Sequence, residues 1–202
     1  MTDLDKALAD IDEIKSRLAQ SSPFLGLGPA ALAASGALAF GVAAVQSLIP
    51  GATEPLPYFV GWVATAIVAV ALIGAEMLRR SRRHHAGLAD HMIREAVLNF
   101  VPAGVAGAAL LVFFARSAPD ELWLVPGLWL ILVSLGIFAA TRSLPRAIAL
   151  AGAWYLFAGV TVLLLAAADH AHSPWHMGLP FAVGQLLVAA IVYRAPEAAH
   201  AR

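Results

Sequence analysis

The sequence predicts an all-α integral membrane protein: a bundle of six transmembrane helices in three hairpins, preceded by an amphipathic helix on the cytoplasmic side. Three observations carry this expectation. Of 202 residues, 60% are hydrophobic and 13% charged, against about 25% charged in an ordinary soluble domain. Six separate apolar stretches are long enough to cross a bilayer. The positive charges, finally, fall almost entirely on alternate connections.

Residues 1–22 come first and differ in character from the rest. Leu4, Leu8, Ile11, Ile14 and Leu18 recur every three or four positions, which forms one apolar stripe on a helix. Thr2 followed by Asp5 is a variant capping box, and Ser21-Ser22-Pro23 supplies a stop. Asp3, Asp5, Asp10, Asp12 and Glu13 make the polar face acidic, whereas helices that lie on anionic lipid are rich in Lys and Arg. The arm is therefore expected to contact protein. Its targets would be the arm of a second subunit, the arginine loop beneath the bundle, or another cytoplasmic protein. A secretory signal would start basic and run directly into an apolar stretch, and this start does neither.

A spanning helix needs about 20 apolar residues to cross roughly 30 Å of hydrocarbon. The expected spans are 24–49, 57–78, 97–115, 122–140, 147–168 and 175–193, inside a domain of residues 23–194 that leaves a tail of 195–202. Pro50-Gly51, Pro119-Asp120, Pro145 and Ser173-Pro174 break the connections. The first span of each hairpin is expected to start near a proline: Pro29, Pro102 and Pro145. Lys and Arg near span ends stay in the cytoplasm. Twelve of the 13 lie at the termini, in 79–96 and in 141–146, and Arg116 alone lies on the other side. Both termini are thus expected inside, with connections 50–56, 116–121 and 169–174 outside. Tyr58, Trp123 and Trp175 near the outer span ends suit that interface.

Cysteine is absent, which excludes disulfides, thiolate metal sites and cysteine nucleophiles. No phosphate loop, HExxH motif or nucleophile elbow occurs, so an enzymatic reading has no nucleophile to name. Ionisable groups inside the membrane are costly and usually functional, but here they are scarce. Glu76 lies near the inner end of the second span and is expected to form an interface ion pair with Arg80 or Arg79 at helical spacing. Gln185 is the most polar group near the midplane, suited to a hydrogen bond between helices or to a ligand. On the outer side, Asp169, His170, His172 and His176 are close in sequence and are the candidate ligands for a transition metal or haem, or a pH sensor. No cofactor is otherwise expected. The loop 79–85 (RRSRRHH) fits topology and headgroup contact. It lacks the interleaved aromatics of a nucleic-acid site.

The stretches FLGLGPAALAASG (24–36), GAEMLRRSRRHHAGLADHMIREA (74–96) and SPWHMGLPFAVGQLLVAAI (173–191) resemble those of a family of small six-helix bacterial inner-membrane proteins. The resemblance implies an inner-membrane location and brings no activity, cofactor or catalytic residue. The expected role is non-catalytic: sensory, regulatory or scaffolding, with membrane lipid around the bundle and homo-oligomer or cytoplasmic protein contacts through the arm. A small-solute carrier or pore using Gln185 is the alternative, followed by an outer-face metal or haem protein.

Overall fold

A computed structural model describes residues 28–84, 89–141, 144 and 146–200. The amphipathic arm and the center of the basic loop lie outside the described residues. Those described are helical without strands, and six helices are long and apolar enough to cross a membrane. They are α1 (Pro29–Leu48), α2 (Pro55–His84), α3 (Ala89–Ser117), α4 (Val125–Ala140), α5 (Ala149–Ala166) and α6 (Trp175–His200). Short 3-10 segments, Pro119–Leu124 and Arg146–Ile148, lead into α4 and α5.

Each of the six expected apolar stretches forms such a helix, with two instructive differences in extent. The segment 79–96, read as a loop, is helical at both ends, because α2 runs on to His84 and α3 starts at Ala89. The end of apolar character marks the end of the span, but Arg, Ala, Glu and Met there are good helix formers, so the helices outlast their apolar stretches. For the same reason Pro102 lies inside α3 rather than at its start, while Pro29 does open α1 as expected.

In packing order the helices run α2, α1, α6, α5, α4, α3, and a light contact between α3 and α2 closes the circle. The tightest pairs are α1 with α6 and α4 with α5. Small residues bring them together, since lipid offers no hydrophobic drive between helices and close van der Waals packing must serve instead. Ala39 and Ala43 of α1 meet Gly178 of α6 so closely that a Cβ on Gly178 would overlap that of Ala43. Gly127 of α4 and Gly159 of α5 face each other, and a Cβ on either would come within 2.9 Å of the other's carbonyl oxygen. Ser134 adds a hydrogen bond across this pair, its hydroxyl donating to the Gly152 carbonyl at 2.8 Å. Indole N–H groups tie the flanks: Trp129 donates to the Gly107 carbonyl on α3 at 2.9 Å, and Trp154 to the Pro180 carbonyl on α6 at 3.0 Å.

Candidate functional site: a junction at one end of the bundle

Three connections meet at one end of the bundle. They are the start of α2, the 3-10 segment before α4, and residues 167–174 between α5 and α6. His172 stands at their junction. Its ring lies 5.3 Å from that of Tyr58 and 5.5 Å edge-to-face from that of Phe59, both on the first turn of α2. The Leu122 backbone carbonyl lies within hydrogen-bonding reach of the imidazole, while Nε2 is buried without a partner. Tyr58 adds a second tie, its hydroxyl donating to the Ser173 carbonyl at 3.2 Å.

The half-buried imidazole is held below its ordinary value of 6.5, chiefly because burial disfavours the charged form, with His176 adding repulsion against the pull of the Leu122 carbonyl. A neutral ring therefore suits the site. His176 on α6 and Tyr58 on α2 are titratable groups beside it; Asp169 and His170 precede it on its own connection, and Asp120 and Glu121 stand on the 3-10 segment.

The other histidines are used differently. His170 has left-handed backbone geometry (φ 54°) just past α5, where its N–H caps the Ala166 carbonyl at 2.8 Å. Its ring stacks on Trp123 at 4.5 Å, within 3° of parallel. Asp169 accepts the Ala171 N–H at 3.0 Å through Oδ1, an Asx turn that shapes the connection. The expected metal set of Asp169, His170, His172 and His176 is therefore not assembled. Among the described residues no three His, Asp or Glu side chains converge as a metal ion requires. Sequence density alone suggested such a set, but the His170 ring is stacked on Trp123 and the His172 ring is packed against Tyr58 and Phe59.

Tyr58 corrects a second expectation. Far from anchoring at an interface, it is fully buried, packed between Phe59, Trp62 and His172. Sequence reading also passed over Gln46, which is 7% exposed and donates through Nε2 to the Tyr58 carbonyl at 3.3 Å, with Oε1 left unpaired. It is the only side-chain amide in the first span, a signal that was available. Trp62 likewise carries a buried, unpartnered Nε1.

Farther along α6, Gln185 is partly buried beside the fully buried Tyr155, with its Oε1 buried and unpaired. The surroundings are close-packed: a Cβ on Gly36 would approach Gln185 Cβ at 3.0 Å, and one on Gly184 would overlap the Tyr155 ring. At the opposite end, Glu76 forms a bidentate pair with Arg79, with hydrogen bonds of 2.9 and 3.0 Å. The side chain of Arg80, the other expected partner, lies outside the described residues. The chain matches no protein-family model, no curated protein and no solved structure.

Proposed function

We propose that this chain is a non-catalytic, multi-pass protein of the bacterial inner membrane, with both termini cytoplasmic, that senses conditions at its outer face and answers through cytoplasmic protein contacts. Six apolar helices and the one-sided Lys/Arg distribution support the insertion and its direction. The family resemblance of residues 24–36, 74–96 and 173–191 supports the bacterial inner membrane.

The observation that carries the sensory reading is the junction of all three outer connections on His172. Protonating that ring places a charge in a site built for a neutral one and weakens the tie between the start of α2 and the rest of the bundle. A single helix, α2, then runs from Tyr58 and Phe59 to Glu76 and Arg79 at the other end. Between Thr65 and Met77 none of its residues is fully buried, and among the described residues only Ile73 and Met77 hold its second half against the core, so a tilt of that half has few contacts to break. Change at the outer end would reach the basic segment through a rigid element, and the arm of residues 1–22 carries the opposite charge.

A solute carrier has less support, because the surroundings of Gln185 are filled by protein. The test of the main reading is partner capture from membranes at neutral and acidic external pH. Recovery is expected to change with pH, to lose that change in His172→Phe, and to vanish when residues 2–20 are deleted from an otherwise folded bundle. Recovery that is unaffected by the deletion would sink the proposal.

A further inference from the structure

A groove of about 420 Å³ runs between α1 and α2, walled by Leu38, Val42, Val45, Ala64 and Val68, with Gln46, Gly61 and Thr65 also lining it. From Gln46 to Leu38 on one wall, and from Gly61 to Val68 on the other, it extends about 11 Å at ~1.5 Å per helical residue. Half the hydrocarbon thickness is about 15 Å. The groove thus starts about half a turn below the end of α1 and stops near the middle of the bundle, so it spans one leaflet. Its walls are apolar and laterally open, with Val45 and Val68 about half exposed. Its depth comes from small residues on α2, because a Cβ on Gly61 would press on Gln46 Nε2. Thr65 spends its hydroxyl on the Gly61 carbonyl at 2.7 Å. That leaves the Gln46 Oε1 as an unsatisfied acceptor, costly in a membrane because no water replaces the missing donor.

We infer that this groove binds one phospholipid, its acyl chain lying along Leu38, Val42 and Val68 and a headgroup O–H or N–H donating to Gln46 Oε1. The length of a single leaflet, the apolar walls and one acceptor at the headgroup end fit a lipid better than a helix of a second copy, which would extend past the midplane. The leaflet is the outer one if the orientation proposed above holds. The site itself does not depend on that orientation or on His172.

The experiment is native mass spectrometry of the whole protein released from nanodiscs of phosphatidylethanolamine, phosphatidylglycerol or phosphatidylcholine, the last lacking a headgroup donor. One retained lipid per chain is expected, with the donor-bearing lipids favoured about three- to fivefold, the ratio a single intramembrane hydrogen bond supplies. Ala64→Trp fills an exposed groove wall and should remove the retained lipid without lowering the Tm. Gln46→Leu should keep the lipid but lose the headgroup preference. Retention by Ala64→Trp equal to wild type would overturn the site. So would a Val68→Cys chain that forms disulfide dimers which Ala64→Trp abolishes, because a second copy would then be the occupant. A preference for ethanolamine over glycerol, or the reverse, names the headgroup and supports the proposal either way.

Discussion

The bundle has two unequal parts. In α4 with its preceding 3-10 segment, 44% of the apolar stretch is buried by protein, while in α3 the share is 6% and in α2 22%. Glycine shows the contrast most directly. Gly127, Gly159 and Gly184 sit where a single methyl group would strike a neighbouring helix, whereas around Gly74 of α2 and Gly104 of α3 a Cβ would meet nothing within 4 Å. The same residue type sets helix spacing at some positions and is merely tolerated at others, and the tightest glycine contacts between helices of the packed part have no counterpart at Gly74 or Gly104. Four helices thus form a packed body, and two lie against it with less of their surface covered: α2 is held by Tyr58, Phe59 and Trp62 near its start and by Met77 near its other end, and α3 by Phe100 and Ala103 against Gly136 and by Gly107 against Trp129.

Substitutions can break or sharpen this contrast. The largest effect is expected for Gly184→Ala, where overlap with the Tyr155 ring must force α5 and α6 apart. Overpacking of this kind costs about 1–3 kcal/mol, which a thermal or denaturant unfolding curve in detergent would read. If Gly184→Ala were as stable as wild type, the close packing of that pair would be disproved.

The His172 junction comes next, and here only direction is predicted. The unfolded His172 titrates at its ordinary 6.5 and the folded one below it. Between those two values the unfolded chain binds more protons, so its contribution is intact above pH 6.5 and is lost as pH falls through that window. Stability measured against pH should show this decline in wild type and a shallower one in His172→Gln. Equal slopes would place the sensitivity elsewhere.

Smaller still, Ser134→Ala removes the bond to the Gly152 carbonyl and should cost about 0.6 kcal/mol, a typical value for a hydrogen bond between membrane helices. Gly104→Ala on α3 should change stability by less than about 0.5 kcal/mol and tend to raise it, since alanine is the better helix former. A loss of several times that amount would show that α3 is packed against something in the native membrane.

The sequence made the number of spans and their approximate places readable, because lipid imposes length and apolarity locally, one segment at a time. Which helices touch was not readable. Gly104 and Gly159 look alike in a string of apolar residues, and only the assembled bundle distinguishes the exposed one from the one that meets α4. The histidine cluster shows the same limit. His170, His172 and His176 are near in sequence, so convergence on a metal seemed natural, but their orientation is set by Trp123, Tyr58 and Phe59 on other connections. Glu76 and Arg79, three residues apart on one helix, were readable because that contact is local. Tyr58 misled for the opposite reason: its place at a span end suggested an interface, and its burial depends on a partner more than a hundred residues away.

The central claim is that His172 governs the position of α2 relative to the packed body. The absence of native cysteine allows a spin-label pair at Gly74→Cys on the second half of α2 and Leu150→Cys on α5, both sites with room for a label. The distance between them, measured by pulsed electron paramagnetic resonance in nanodiscs at pH 7.5 and 5.5, should shift by several ångströms on acidification, roughly the scale of known helix displacements in switching proteins. In His172→Phe the shift should be absent. An unchanged distance in the labelled parent, or the same shift in His172→Phe, would contradict the account.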